Sequence, residues 1–180
     1  MRIVIAEDEP KSREGLINII HRFTDYEIVG VADDGIEGLE LVLKMKPDLV
    51  ISDIKMPGLD GLGMLEKIKE KQMDVQAVLL TGYSEFEYAR KALRLQVVEY
   101  ILKPLEIDQF LSVLKKVEGK IEKQNARRLT PNQLLRSYVY GNKSERERML
   151  PALEESLGIN DRVESTVILI RPQSIARETY

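Results

Sequence analysis

Short runs of β-branched and aliphatic residues alternate along the chain with segments in which apolar side chains recur every three or four positions. Arg2–Ala6 predicts a strand, and Pro10 then marks a helix start, with Leu16, Ile17, Ile20 and Phe23 at helical spacing. Glu27–Ala32 predicts a second strand. Asp33-Asp34-Gly35 reads as a turn and N-cap before a helix carrying Ile36, Leu39, Leu41, Val42 and Met45. Leu49–Asp53 is a continuous apolar run that ends in an acid, the pattern of a strand buried on both faces. A loop, Lys55–Asp60, leads into a helix with Leu62, Leu65 and Ile68. Strand Val75–Leu80, helix Ser84–Leu95, strand Val97–Leu102 and a helix from Glu106 to about Lys123 follow.

Five strand–helix units in residues 1–125 predict an α/β domain with a doubly wound parallel sheet, because parallel neighbours need crossover helices. The strand order expected for this winding is 2-1-3-4-5, with ligands bound outside the carboxyl ends of the strands. Beyond Gln124 the pattern changes. Thr130-Pro131 opens a helical stretch through Tyr140, Gly141-Asn142 breaks it, and Ser144–Leu157 reads as another helix. Gly158–Asp161 predicts a turn and Ser165–Ile170 a strand. Residues 126–180 are therefore expected to be a linker and the start of a partial α+β segment, cut inside a longer protein.

Composition narrows the chemistry. Apolar residues at 43% and charged residues at 32% describe an ordinary globular chain. With no cysteine and a single histidine, His21, read as a surface residue, disulfides, thiolate metal sites, Cys nucleophiles and Ser-His-Asp triads are out of the picture. The first strand begins at Arg2, leaving no room for a signal peptide, and no apolar run approaches a membrane span, so a cytoplasmic address is expected. The net charge of −3 is uneven: residues 1–125 carry 18 Lys and Arg against 23 Asp and Glu, and residues 126–180 carry 9 against 7. Neither part has the basic excess that nucleic-acid binding needs, so no nucleic-acid partner is expected for this chain itself.

Glu7 and Asp8 follow the first strand, Asp53 the third, Thr81 the fourth and Lys103 the fifth. The expected strand order brings these ends to one rim. Clustered carboxylates repel one another, and oxygen-only ligands favour a hard cation such as magnesium. Phosphoryl transfer to a carboxylate needs that neutralisation together with a donor such as lysine. Singly, each residue has a plainer explanation. Asp8 or Glu9 could cap the helix at Pro10, Asp53 could cap its loop, Thr81 could be a turn residue and Lys103 a solvated charge.

Together, Ile5-Ala6-Glu7-Asp8-Glu9-Pro10, Ser52-Asp53-Ile54-Lys55-Met56-Pro57-Gly58-Leu59-Asp60-Gly61, Leu80-Thr81-Gly82-Tyr83 and Leu102-Lys103-Pro104 resemble the receiver domains of two-component response regulators, in order, over residues 1 to about 125. The resemblance implies a flavodoxin-like receiver that acts as a regulator, not an enzyme with an external substrate. It implies phosphorylation of Asp53 by a sensor histidine kinase and Mg2+ held by Glu7, Asp8, Asp53 and the backbone carbonyl of Lys55. Thr81 and Lys103 would bind phosphoryl oxygens, Thr81 and Tyr100 would form the switch, and the Lys103-Pro104 bond would be cis. A phosphorylation-dependent homodimer is expected through the fourth helix, fifth strand and fifth helix, where Tyr83, Phe86, Tyr88 and Tyr100 concentrate. Thr81–Ala89 is similar to receivers followed by an AraC-type DNA-binding domain, which implies transcriptional control by a longer parent protein. A stand-alone adaptor working by protein contact is the alternative. A LuxR-type helix-turn-helix in the tail ranks lower, because Val163–Ile170 reads as a strand where a recognition helix would be needed.

Overall fold

The computed structural model describes residues 1–82, 86–128 and 130–157, and in it the five apolar runs form one parallel sheet. The strands are β1 (Arg2–Ala6), β2 (Glu27–Ala32), β3 (Leu49–Asp53), β4 (Gln76–Thr81) and β5 (Glu99–Leu102). The helices that follow them are α1 (Pro10–Phe23), α2 (Gly35–Met45), α3 (Gly61–Glu70), α4 (Phe86–Leu95) and α5 (Ile107–Arg128). The order across the sheet is β2-β1-β3-β4-β5, as the sequence predicts for a flavodoxin-like receiver. The chain divides into two compact units, Met1–Glu122 and Lys123–Tyr180.

Alternation along each strand sends successive side chains to opposite faces, and in the first unit each face has its own apolar layer. Ile3, Ile5, Ile51, Val78 and Ile101 pack with Leu16 and Ile20 of α1 and Phe110, Leu114 and Val117 of α5. Val4, Ala6, Val50 and Leu79 pack with Val42 of α2, Leu62, Met64 and Ile68 of α3, and Ala92 of α4. Every residue of β3 is buried, which explains why Leu49, Val50 and Ile51 are apolar without alternation ahead of the buried Ser52 and Asp53. Register is therefore fixed from both sides, since a one-residue slip would exchange the two layers.

Helix starts follow local chemistry. Asp34 Oδ1 accepts hydrogen bonds from the Ile36 and Glu37 backbone N–H groups at 2.7 and 2.8 Å, and Asp60 Oδ1 accepts from Gly63 at 2.6 Å. At α1 the capping explanation for its acids fails: Glu9 is the N-cap, and its side chain makes no cap hydrogen bond. Tyr26 Oη donates to Glu118 Oε2 at 2.9 Å, tying the approach to β2 to α5. Burial, with the adjoining Glu118 carboxylate, pushes the Tyr26 hydroxyl up to about 12. His21 is exposed.

In the second unit, α6 (Pro131–Tyr140) begins with a capping box in which the Thr130 side chain accepts from the Gln133 N–H and the Gln133 side chain accepts from the Thr130 N–H. The start of α7 (Lys143–Leu157) repeats the device with Asn142 and Glu145. Leu134, Leu153 and Ala126 are its buried centre. The predicted strand Ser165–Ile170 and turn Gly158–Asp161 lie outside the described residues. Several boundaries differ from the sequence expectation, and the expected start of the fourth helix at Ser84 lies outside the described residues. β4 starts and ends one residue later, β5 begins at Glu99 rather than Val97, and α5 continues to Arg128 because nothing between Lys123 and Arg128 breaks a helix. Among the described residues, no helix is long and apolar enough to cross a membrane.

Two glycines predict opposite responses to one substitution. A Cβ on Gly61 would run into the backbone carbonyl of Asp53, whereas a Cβ on Gly15 meets nothing within 4 Å. Gly61→Ala should cost roughly 1–3 kcal/mol through overpacking. Gly15→Ala, inside α1, should gain about 0.5–1 kcal/mol through backbone entropy. Urea unfolding of both variants checks the signs; a stable Gly61→Ala variant would mean that the α3 turn does not press on the Asp53 backbone.

Candidate functional site

The strand pairings assemble the rim. Ala6 of β1 lies opposite Ser52 of β3, so Glu7 follows directly beside Asp53. Asp53 pairs with Leu80 and Thr81 with Leu102, which brings the residues after β4 and β5 to the same edge. The backbone N–H of Lys103 donates to the Thr81 carbonyl at 2.7 Å, extending the β4–β5 ladder by one step. The Lys103-Pro104 peptide is cis.

Glu7, Asp8 and Asp53 each present a carboxylate oxygen within 4.8 Å of the others. Glu7 is fully buried, Asp53 nearly so, and Asp8 is exposed. The Lys103 ammonium stands between the two buried acids. It donates to Glu7 Oε1 and Oε2 at 3.0 and 2.8 Å and forms a short ion pair with Asp53 Oδ2. The other Asp53 oxygen, Oδ1, accepts from the Lys55 backbone N–H at 3.0 Å. Thr81 is fully buried at the end of β4, and Tyr100 is half-buried on β5, packed at the margin of the α3–α4 layer. The sequence-predicted residues Glu7, Asp8, Asp53, Lys55, Thr81 and Lys103 therefore meet at one edge, while Tyr100 lies within β5, opposite Leu79.

Burial pushes the Glu7 carboxyl above its ordinary range, and the pull of Lys103 does not cancel that effect. Burial acts to lower the Lys103 ammonium, but hydrogen bonds to Asp53 and Glu7 outweigh it and hold Lys103 above its ordinary value. Three carboxylates against one ammonium leave the rim formally anionic, with oxygen ligands only. This donor set fits a hard divalent cation, with Asp8 on the solvent side of the group.

Two residues of this site escaped the sequence analysis. Ser12 Oγ donates to Glu7 Oε2 at 3.0 Å, and Arg13 Nη1 donates to the carbonyls of Glu7 and Asp8 at 2.6 and 3.3 Å. Their only sequence signal is their place in the first turn of a helix that starts beside the acids.

Removing Lys103 should expose the electrostatics. Because the folded pKa of Glu7 lies above its ordinary value of 4.5, its contribution to stability is full below that value and is lost as pH rises through the folded pKa. Lys103→Met raises the folded value further. In metal-free buffer its cost at neutral pH should be about 3 kcal/mol, toward the low end for stripping one partner from a buried pair, since Lys103 reaches solvent. The deficit should shrink toward acid, and adding Glu7→Gln should recover most of it. Urea unfolding at neutral and acid pH tests this; a deficit equal at both would remove Glu7 as its source.

A family profile described as "Response regulator receiver domain" matches residues 3–115. Over 125 residues the chain is 34% identical to the uncharacterized transcriptional regulatory protein YesN of Bacillus subtilis, covering 69% of this chain and 34% of that protein. It is 35% identical to the transcriptional regulatory protein HptR of Staphylococcus aureus, covering 72% of this chain and 52% of that one. Thus the matched part spans about a third to a half of the length of these curated relatives. Among solved structures, the REC domain of AraT, a response regulator from Geobacillus stearothermophilus, is 39% identical with a TM-score of 0.63, covering 69% of this chain and 97% of that one. A LuxR-family DNA-binding response regulator from Staphylococcus aureus is 31% identical with a TM-score of 0.62, covering 64% and 97%.

Proposed function

The chain belongs to the response regulator receiver family, and from that premise we propose that it takes a phosphoryl group from a sensor histidine kinase onto Asp53. The observation that carries this reading is the placement of Asp53. It ends the central, wholly buried strand, with one oxygen on the Lys55 N–H, the other on Lys103, and two further acids within reach. In the transfer, a carboxylate oxygen of Asp53 bonds to phosphorus as the bond from phosphorus to the kinase histidine nitrogen breaks. Glu7, Asp8, Asp53 and the Lys55 carbonyl would hold Mg2+, which supplies charge neutralisation for the phosphoryl oxygens. The Lys103 ammonium and Thr81 hydroxyl are the donors assigned to those oxygens. The protein is a regulator that works on its own side chain, and water later removes the phosphoryl group from the same residue.

The output is assigned to the loosely packed end of the sheet. Thr81 and Lys103 lead into α4, β5 and the start of α5, with Tyr100 as the responding aromatic. Phe86 and Leu93 on α4 are 76% and 79% exposed, and Leu102 at the end of β5 is 47% exposed. That apolar surface supports a homodimer that strengthens on phosphorylation. The names of the relatives, and the likeness of Thr81–Ala89 to receivers of AraC-type regulators, support transcriptional control by a longer parent protein. Residues 126–180 are assigned a connecting role, with no DNA binding of their own. Their 9 basic and 7 acidic residues offer little net attraction for phosphates.

Incubated with magnesium and acetyl phosphate, the chain should gain the mass of one phosphoryl group, and Asp53→Asn should gain none. Phosphate retained by that variant would move the acceptor elsewhere. Sedimentation should show a larger dimer fraction with a fluoroberyllate mimic than without it, and Leu93→Asp should abolish the increase. Identical monomer content in both states would leave the α4–β5–α5 face without this role.

A further inference from the structure

Glu7 is the only acid of the site with no exposure at all, and three donors hold its carboxylate. Lys103 reaches both oxygens, the Glu9 backbone N–H reaches Oε1 at 3.4 Å, and Ser12 Oγ reaches Oε2 at 3.0 Å. Of the two short side-chain donors, Lys103 is shared with Asp53, whereas Ser12 makes its acid contact with Glu7 alone. A glutamate also has one more rotatable bond than an aspartate, so a fixed rotamer carries a larger entropy cost and needs its own restraint. Arg13 restrains the backbone of this turn through the Glu7 and Asp8 carbonyls, and Ser12 adds to the Glu7 side chain a donor that is not shared with Asp53. The first turn of α1 does not use an acidic side chain to cap itself, and its hydroxyl is turned across the loop instead.

We propose that Ser12 is a positioning residue of the phosphoacceptor site: its hydroxyl fixes the Glu7 carboxylate toward Asp8 and Asp53 and leaves Lys103 free to divide itself between the two buried acids. The inference rests on the assignment of Asp53 as phosphoacceptor and of the three acids as cation ligands. Without the hydroxyl, Oε2 depends on Lys103, which is then drawn away from Asp53, and Glu7 gains rotamers that do not face the other acids.

The test uses the full chain and the pair Ser12→Thr and Ser12→Val, which have nearly the same shape and differ in the hydroxyl. Magnesium alone, titrated calorimetrically without phosphodonor, should bind roughly tenfold more weakly to the valine variant, the effect of losing a hydrogen bond to a charged group. The threonine variant should stay within about twofold of wild type, the scatter allowed for a neutral change. With acetyl phosphate, the valine variant should need more magnesium than the threonine variant for half-maximal phosphorylation. Equal magnesium affinity in the two variants overturns the proposal, as does a threonine variant that binds as weakly as the valine one. If valine prevents folding, Ser12→Ala is the hydroxyl-free arm. A wild-type chain that binds no magnesium and gains no phosphoryl group refutes the phosphoacceptor reading itself, and the role of Ser12 falls with it.

Discussion

A single ammonium, that of Lys103, lies between two carboxylates that the fold has taken out of water. Two like charges about 4 Å apart repel by roughly 4 kcal/mol at the effective dielectric of a protein surface. Glu7 and Asp53 would therefore be an unstable pair without a cation between them, and Asp8 adds to the repulsion. Lys103 can serve both because its backbone continues the β4–β5 ladder onto Thr81, which fixes its Cα at the rim. The site thus depends on strand register more than on any loop. If β5 slipped by one residue against β4, the ammonium would leave the two acids and the buried charge of Glu7 would stand uncompensated.

That register is held by burial on both sheet faces. β3 is closed off at every residue, β1 at all but its first, and the two layers formed with α1 and α5 and with α2, α3 and α4 leave no alternative alignment. Gly61 completes the arrangement, because the first residue of α3 lies against the Asp53 carbonyl, where only a hydrogen fits. The chain leaving Asp53 is thereby turned back within a few residues, and the Lys55 N–H comes to face Asp53 Oδ1.

Much of this was legible in the sequence because it follows from short-range rules. Apolar runs ending in Glu7, Asp53 and Thr81, together with the strand order of a doubly wound sheet, are enough to bring these residues and Lys103 to one rim. The cap at Asp34 and the helix start at Thr130-Pro131 follow from side-chain preference alone. What stayed hidden depends on rotamers and on competition between neighbours. Whether Glu9 caps α1 or leaves its cap empty is decided by the geometry of the acid turn, and Ser12 reaches Glu7 only because the helix starts at that angle. The extension of α5 to Arg128 was missed because apolar spacing ends near Lys123, while the intrinsic preference of the following polar residues still favours helix.

Burial is uneven across the sheet in a way that bears on how a charge on Asp53 would be transmitted. β3 and the end of β4 are closed, whereas β5 is a four-residue edge strand with one fully buried residue, and α4 buries only Ala92. Elements with few buried apolar groups open and shift at the lowest free-energy cost. Thr81 and Lys103, the donors assigned to the phosphoryl oxygens, stand where the closed centre meets this loose edge. A new anion at Asp53 would compete with Glu7 for the Lys103 ammonium, and the movement of that side chain would be felt first by β5 and α4, not by β3. The opposite edge strand, β2, is also loosely packed, but none of the site's charged groups lies on it. The direction of such a response would therefore be set by which edge carries the donors, and the exposed apolar residues Phe86, Leu93 and Leu102 lie on that same edge.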